Sequence, residues 1–200
     1  MEFTLDEKTI NLFKTLYGKD SKVIEEQFKR YKESIDEFKR LFEEDEEGIQ
    51  LFSTPGRTEI GGNHTDHNLG RVLAGGVNLD SIAIAKPAQD NIIKFYSKGF
   101  ENPFIIDLDV LEPIEEEKGT TSALMRGIAA RFVQLGYKIG GFRAYINSDV
   151  LPGSGLSSSA SIEVLLGTIL SYLHNDGEIS PETLAKIGQY AENEFFGKPC

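Results

Sequence analysis

Two short stretches concentrate the residue types that can do chemistry. The first, Pro55 to Asn68, reads PGRTEIGGNHTDHN and holds an arginine, two histidines, an aspartate and three glycines. Asp66 can accept two hydroxyl hydrogens, while His64 and Asn63 can each donate and accept. Arg57 offers a rigid charged fork suited to a carboxylate or a phosphoryl group. Gly61 and Gly62 allow a tight turn whose backbone lines a pocket. Together these favour a polar, multidentate site for a hydroxylated ligand such as a sugar. The alternative is a metal half-site built on His64, Asp66 and His67. A tetrahedral site needs three or four ligands, and the other candidates are His174, in an expected apolar helix, and Cys200 at the very end.

The second stretch, Leu151 to Ser161, reads LPGSGLSSSAS. Gly153 and Gly155 let the backbone approach a ligand closely. Ser157, Ser158 and Ser159 fall where a helix begins, and there free N–H groups and the helix dipole favour an anion, phosphate above all. Two familiar phosphate loops do not fit: the loop lacks the lysine of a Walker A motif, and Ser158 stands where a dinucleotide fingerprint needs its third glycine. A serine-rich helix cap is the plainer alternative.

Helices and strands must hold these stretches in place. Helices are expected over 9–17 and 21–44, the second from Val23, Ile24, Phe28, Tyr31, Ile35, Phe38, Leu41 and Phe42 at three- and four-residue spacing, with Ser21 as N-cap. The acidic run Glu43 to Glu47 then reads as solvated surface. Strands are expected at Ile49–Ser53, Ser81–Lys86, Ile92–Ser97 and Phe104–Leu108, with a hairpin turn at Gln89-Asp90-Asn91. A helix over Ser122–Gln134 turns Leu124, Ile128, Phe132 and Leu135 to one side and stops at Gly136. Residues 142–146 alternate as a half-exposed strand should. An apolar helix over Ser158–His174 follows, then a last helix with Ser180 as N-cap, Pro181 in its first turn and Gly197 at its end. The irregular mixture points to an α+β fold.

Composition narrows the function. The net charge is -11, so no basic footprint exists for nucleic acid. A single cysteine, Cys200, excludes an internal disulfide framework and fits a cytoplasmic setting. Met1 to Asn11 does not resemble a signal peptide, and no stretch reaches the ~20 apolar residues of a membrane span. Residues 1–48 carry nothing that looks catalytic and read as scaffold or subunit contact.

Taken together, the two stretches resemble the galactokinase branch of the GHMP small-molecule kinases. PGRTEIGGNHTDHN is similar to the sugar signature G-R-x-N-x-I-G-E-H-T-D-Y, with Asn63 at the glutamate and His67 at the tyrosine. LPGSGLSSSAS resembles the phosphate loop P-x-x-x-G-L-x-S-S-A. AENEFFGKPC at the end resembles the run before that family's catalytic aspartate. The resemblance covers about residue 49 onward. It implies the N-terminal domain of a GHMP kinase (ribosomal protein S5 domain 2-like) over 49–200, with a helical extension over 1–48 packed upon it. It also implies phosphorylation of a sugar C1 hydroxyl by ATP with Mg2+. By the same resemblance, Arg57 serves the reacting hydroxyl, and Asn63, His64 and Asp66 hold the sugar. Gly153, Ser154, Gly155, Leu156, Ser157, Ser158 and Ser159 wrap the ATP phosphates. Ser159, rather than Ser158, and Glu192 bind Mg2+.

In that family the catalytic aspartate and a C-terminal domain follow the point at which this sequence ends. The 200 residues alone are therefore expected to show no kinase turnover, and to self-associate through the surface such a domain would cover. Small-molecule sugar and ATP are the expected partners, with neither nucleic acid nor membrane. Two other readings stay open: a sugar- and ATP-sensing protein of the same fold that needs no turnover, and a GHMP kinase for a different sugar or alcohol.

Overall fold

Two aspartates start the N-terminal helices. Asp6 accepts from the Thr9 N–H at 2.8 Å and opens α1 (Glu7–Tyr17). Asp20 accepts from the Lys22 N–H at 2.9 Å and opens α2 (Ser21–Phe42). The cap expected at Ser21 belongs instead to Asp20, because a capping side chain reaches back over the first turn from just outside it. Glu43 ends α2 in the left-handed region, at φ 54°. The acidic run beyond it is more than solvated surface. Lys86 Nζ lies 2.5 Å from Glu44 and 3.4 Å from Asp45, and Lys39 Nζ lies 3.1 Å from Glu46.

The computed structural model describes residues 3–62, 70–151 and 153–197. Its strands are β1 (Gln50–Gly61), β2 (Leu73–Pro87), β3 (Ile92–Ser97), β4 (Phe104–Asp107) and β5 (Phe142–Ser148). They form one sheet in the order β1-β2-β5-β3-β4, in which only β3 and β5 run parallel. Helices α3 (Thr121–Gln134), α4 (Ser158–His174) and α5 (Pro181–Ala191) cover one face, and a single π-helical turn, Glu192–Phe196, continues α5. Helices α1 and α2 cover the other face. The architecture is thus α+β. Among the described residues no helix is long and apolar enough to cross a membrane.

Several expectations change here. Strands β1 and β2 are much longer than their apolar runs, because backbone pairing carries the hairpin outward through the polar residues to Gly61 and Leu73. Gln89-Asp90-Asn91 is no hairpin turn: β5 inserts between β2 and β3 and pairs with both. That central position also buries β5 on both faces, so it is not half-exposed; Tyr145 and Asn147 lie beneath α2 rather than in water. Leu135 caps the end of α3 and stays 44% exposed, outside the apolar face.

Strand β2 explains the layering. In its run SIAIA, Ile82 and Ile84 point at α2 while Ala83 and Ala85 point at the other helices. Period-two alternation therefore sorts large from small residues rather than apolar from polar. Small side chains on Ala83 and Ala85 let the apolar helix α4 lie close to β2.

Candidate functional site

The site forms at an irregularity in the β1–β2 hairpin. Pro55 pairs with Asp80, but Arg57 pairs with Gly76, so the register slips at Gly56. Such bulges re-aim a strand and are common beside functional sites. Gly56 is buried, and a Cβ there would lie 3.1 Å from Val150 Cγ2 and 3.2 Å from the Leu156 carbonyl oxygen. The absent side chain lets the second stretch lie directly against the first. The Arg57 N–H donates to that same Leu156 oxygen at 3.1 Å.

A small hydroxyl network fixes the junction from below. Thr54 Oγ1 donates to the Ser161 carbonyl at 2.9 Å, and Ser161 Oγ lies 2.9 Å from Ser81 Oγ. Ser81 Oγ is in turn 2.7 Å from Ser148 Oγ, which accepts from the Val150 N–H at 3.1 Å. Strands β1, β2 and β5 and the start of α4 are therefore tied at one point. Neither Thr54 nor Ser148 was singled out from the sequence, since isolated serines and threonines in strands carry no periodic signal.

Within the loop, Gly153 and Gly155 have φ of 77° and 75°, and Ser157 adopts φ 57°. Left-handed backbone is what a glycine supplies freely and a serine pays for in strain. Ser157 makes no side-chain capping hydrogen bond, so the plain helix-cap reading does not describe the loop. Ser158 and Ser159 occupy the first turn of α4. The first intrahelical bond of the helix runs from the Ser161 N–H to the Ser157 carbonyl at 3.0 Å. Among the described residues no acceptor meets the N–H groups of Ser158, Ser159 or Ala160. Those donors, at the positive end of a 17-residue helix, suit an anion.

Arg57 is half-buried, and among the described residues its guanidinium has no carboxylate partner. Arg57 and the N–H groups at the start of α4 bring positive potential to an otherwise acidic protein. Glu192 is 9% exposed, in the π-helical turn after α5. No hydrogen bond joins it to Ser159. Among the described residues no cluster of three or more His, Cys, Asp or Glu is placed to hold a metal ion. Asn63, His64, Asp66 and His67 lie outside the described residues. Their anchors are described: Gly62, at φ 122°, sits so near Val72 that a Cβ would come within 2.7 Å of its Cα.

Beside Ser158 and Ser159 opens a cavity of about 290 Å³ that sequence reasoning missed. Phe95, Phe100, Phe104, Leu124, Ile162 and Phe196 give it an apolar body, and Lys98 and Thr121 stand at its wall. Its size and lining suit a planar organic group. The residues come from six separate elements and the loops between them, so no local pattern announces it.

Residues 123–200 match the GHMP kinases N terminal domain, and residues 36–87 match the galactokinase galactose-binding signature. The Methanococcus jannaschii mevalonate kinase shares the fold, with a TM-score of 0.63 at 22% identity over 78% of this chain and 49% of that one. The chain thus has the N-terminal fold of a GHMP kinase.

Within that class it belongs to the galactokinase family, of which the match covers the N-terminal part. It is 34% identical over 158 residues to the galactokinase of Bacillus subtilis, covering 78% of this chain and 40% of that protein. The galactokinase of Fusobacterium nucleatum is 36% identical over 164 residues, covering 82% and 42%. The Lactococcus lactis galactokinase, solved complexed with galactose, superposes with a TM-score of 0.74 at 31% identity, over 82% of this chain and 42% of that one. The chain spans about two fifths of the length of the curated relatives it matches.

Proposed function

We propose that this chain supplies the sugar- and ATP-phosphate-binding part of an ATP-dependent sugar 1-kinase, a galactokinase, in which the ATP γ-phosphate passes to a sugar C1 hydroxyl. The observation that carries the reading is the hydrogen bond from the Arg57 N–H to Leu156. It seats the arginine of the sugar-signature stretch against the glycine-serine loop, where donor and acceptor substrates would have to meet. In this reading 49–200 is the kinase N-terminal domain and 1–48 a helical extension packed on it.

The residues fit the groups they would hold. Gly153–Ser159 offers free N–H groups and positive backbone potential to the ATP phosphates. The neighbouring apolar cavity would take the nucleoside. A serine hydroxyl at Ser159 and the Glu192 carboxylate are hard oxygen donors of the kind Mg2+ selects. When bound, MgATP supplies the phosphoryl group and neutralises part of its charge. Phosphoryl transfer depends mainly on positioning and charge stabilisation. Arg57 would orient the reacting hydroxyl and ease loss of its proton, while Asn63, His64 and Asp66 hold the other sugar hydroxyls. The catalytic aspartate is expected beyond Cys200, so residues 1–200 alone should bind without turnover. An amide at Asn63 lacks the charge-assisted acceptor strength of a carboxylate, which favours, as a second reading, a hexose other than galactose.

Calorimetry tests the function directly. MgATP is expected to bind the chain, and Ser159→Ala and Arg57→Ala each to weaken it by roughly tenfold or more, as the loss of a hydrogen bond to a charged group requires. No binding heat with MgATP at millimolar concentration would sink the reading. A panel of galactose and related hexoses then separates the two sugar assignments.

A further inference from the structure

We infer that Arg30, on the N-terminal helix α2, is a positioning residue for the glycine-serine loop, acting through a buried polar hub at Asp80. The inference rests on the proposed function for its meaning but not for its geometry.

Asp80 is the strand residue opposite Pro55, at the edge of the bulge that carries Gly56 and Arg57. Its side chain is 4% exposed and gathers three donors from three elements. Arg30 Nη1 donates to Oδ1 at 2.5 Å; Tyr17 Oη and Ser53 Oγ donate to Oδ2 at 2.6 and 2.5 Å. The Tyr17 hydroxyl also lies 3.0 Å from that of Tyr31, and burial raises the pKa of both phenols above the ordinary value, making them weaker acids. They therefore remain neutral donors at every physiological pH.

The guanidinium of Arg30 reaches further. Nη2 donates to the Asp80 carbonyl at 3.0 Å and to the Asn147 carbonyl at 2.7 Å, and Nη1 lies 3.1 Å from Asp149. The Asp149 N–H in turn donates to the Asp80 carbonyl at 2.9 Å. One arginine thus clamps the bulge-bearing strand β2 to the end of β5, at the point where the chain leaves for Val150 and the loop. Val150 is the residue that packs on Gly56. Arg30 achieves this at a cost, since its Nε is buried without a partner. Continuum logic says that a buried pair kept only for stability is readily replaced by apolar residues. A clamp whose task is geometry is not.

Two variants and two readouts test this on the 200-residue chain. Arg30→Lys keeps the charge but loses the planar fork. Asp149→Asn weakens only the loop-side leg, at a residue 42% exposed, where folding is not at risk. In both, hydrogen exchange at the bonded amides of the loop junction, Arg57, Ser154 and Leu156, should quicken by roughly tenfold while the amides of β3 and β5 stay protected. MgATP affinity should fall by roughly two- to thirty-fold, the range of coupling through a packed network. Unchanged loop exchange, or a rise spread evenly over the whole chain, overturns the inference and leaves Arg30 a stabilising residue only. If the unaltered chain binds no MgATP, the proposed function fails, and the exchange pattern still decides the clamp.

Discussion

The two faces of the sheet are packed by different chemistry. Against α3, α4 and α5 the contacts are mainly apolar, from Phe132 and Leu166 to Ile146 and Phe95, with the hydroxyls of Thr54, Ser81 and Ser161 at the start of α4. Against α1 and α2 an aromatic layer, Phe13, Tyr31 and Phe38, gives way near the site to charge: Arg30, Asp80 and Asp149. Apolar burial is non-directional and sets how deeply helices sit. Hydrogen-bonded charge is directional and sets which atom faces which. The apolar face therefore accounts for stability, and the polar corner of the other face accounts for the alignment of two stretches that meet only in space.

The largest expected effects should break both faces alike. Phe132→Ala, at a fully buried position, should cost about 3–5 kcal/mol of stability. Asp80→Ala should cost about the same by removing the buried acceptor shared by Arg30, Tyr17 and Ser53. Urea midpoints measure both. The faces should part in the double replacement Arg30→Met with Asp80→Leu, which should recover most of the lost stability yet leave the loop fast-exchanging. A double variant with native loop exchange would erase the distinction.

Gly127→Ala comes next, on the apolar side. Its Cβ would meet Ala191 Cβ and Phe195 Cγ at 2.9 Å, forcing α5 from α3, at about 1–3 kcal/mol of overpacking. Gly56→Ala should cost nearer about 1 kcal/mol, because Val150 and Leu156 need yield only slightly. Its MgATP affinity should nonetheless fall more than that of Gly127→Ala, since the shift lands on the loop. Equal affinity losses would contradict the assignment of alignment to the bulge.

The smallest effect is a pH slope at the rim of the apolar face. Burial holds His174 below its ordinary value of 6.5, outweighing a hydrogen bond with Gly140 that acts the other way. The unfolded chain therefore takes up the proton first on acidification, and the stability that the neutral ring contributes declines as pH falls below about 6.5 toward the lowered folded value. Melting temperatures between pH 7.5 and 5.5 should show the decline, and His174→Gln should flatten it.

Much of the frame was legible in the residues. Helix α4 spans Ser158–His174 and β3 spans Ile92–Ser97, both with the limits their local patterns announce. Ser180 and Pro181 start the last helix as expected. The family was legible too, because the sugar signature and the phosphate loop are contiguous strings. The hub was not legible: Arg30 looks like any charged residue on an amphipathic helix until Asp80 and the Asn147 carbonyl are brought to it. The cavity beside Ser158 and Ser159 was equally hidden, assembled from strands, helices and turns far apart in the chain.

The sequence by itself determined where the elements lie, which residue types gather at 55–68 and 151–161, and the family these imply. Such features depend on neighbours a few residues apart, through capping, turn chemistry and side-chain period. The tertiary structure alone decided that β5 would part β2 from β3, that Arg57 would bond to Leu156, and that an arginine from the N-terminal helices would clamp the strands beneath them. Those outcomes depend on which buried polar groups find partners across the sheet, and that is settled only when every strand competes for the same hydrogen bonds in three dimensions.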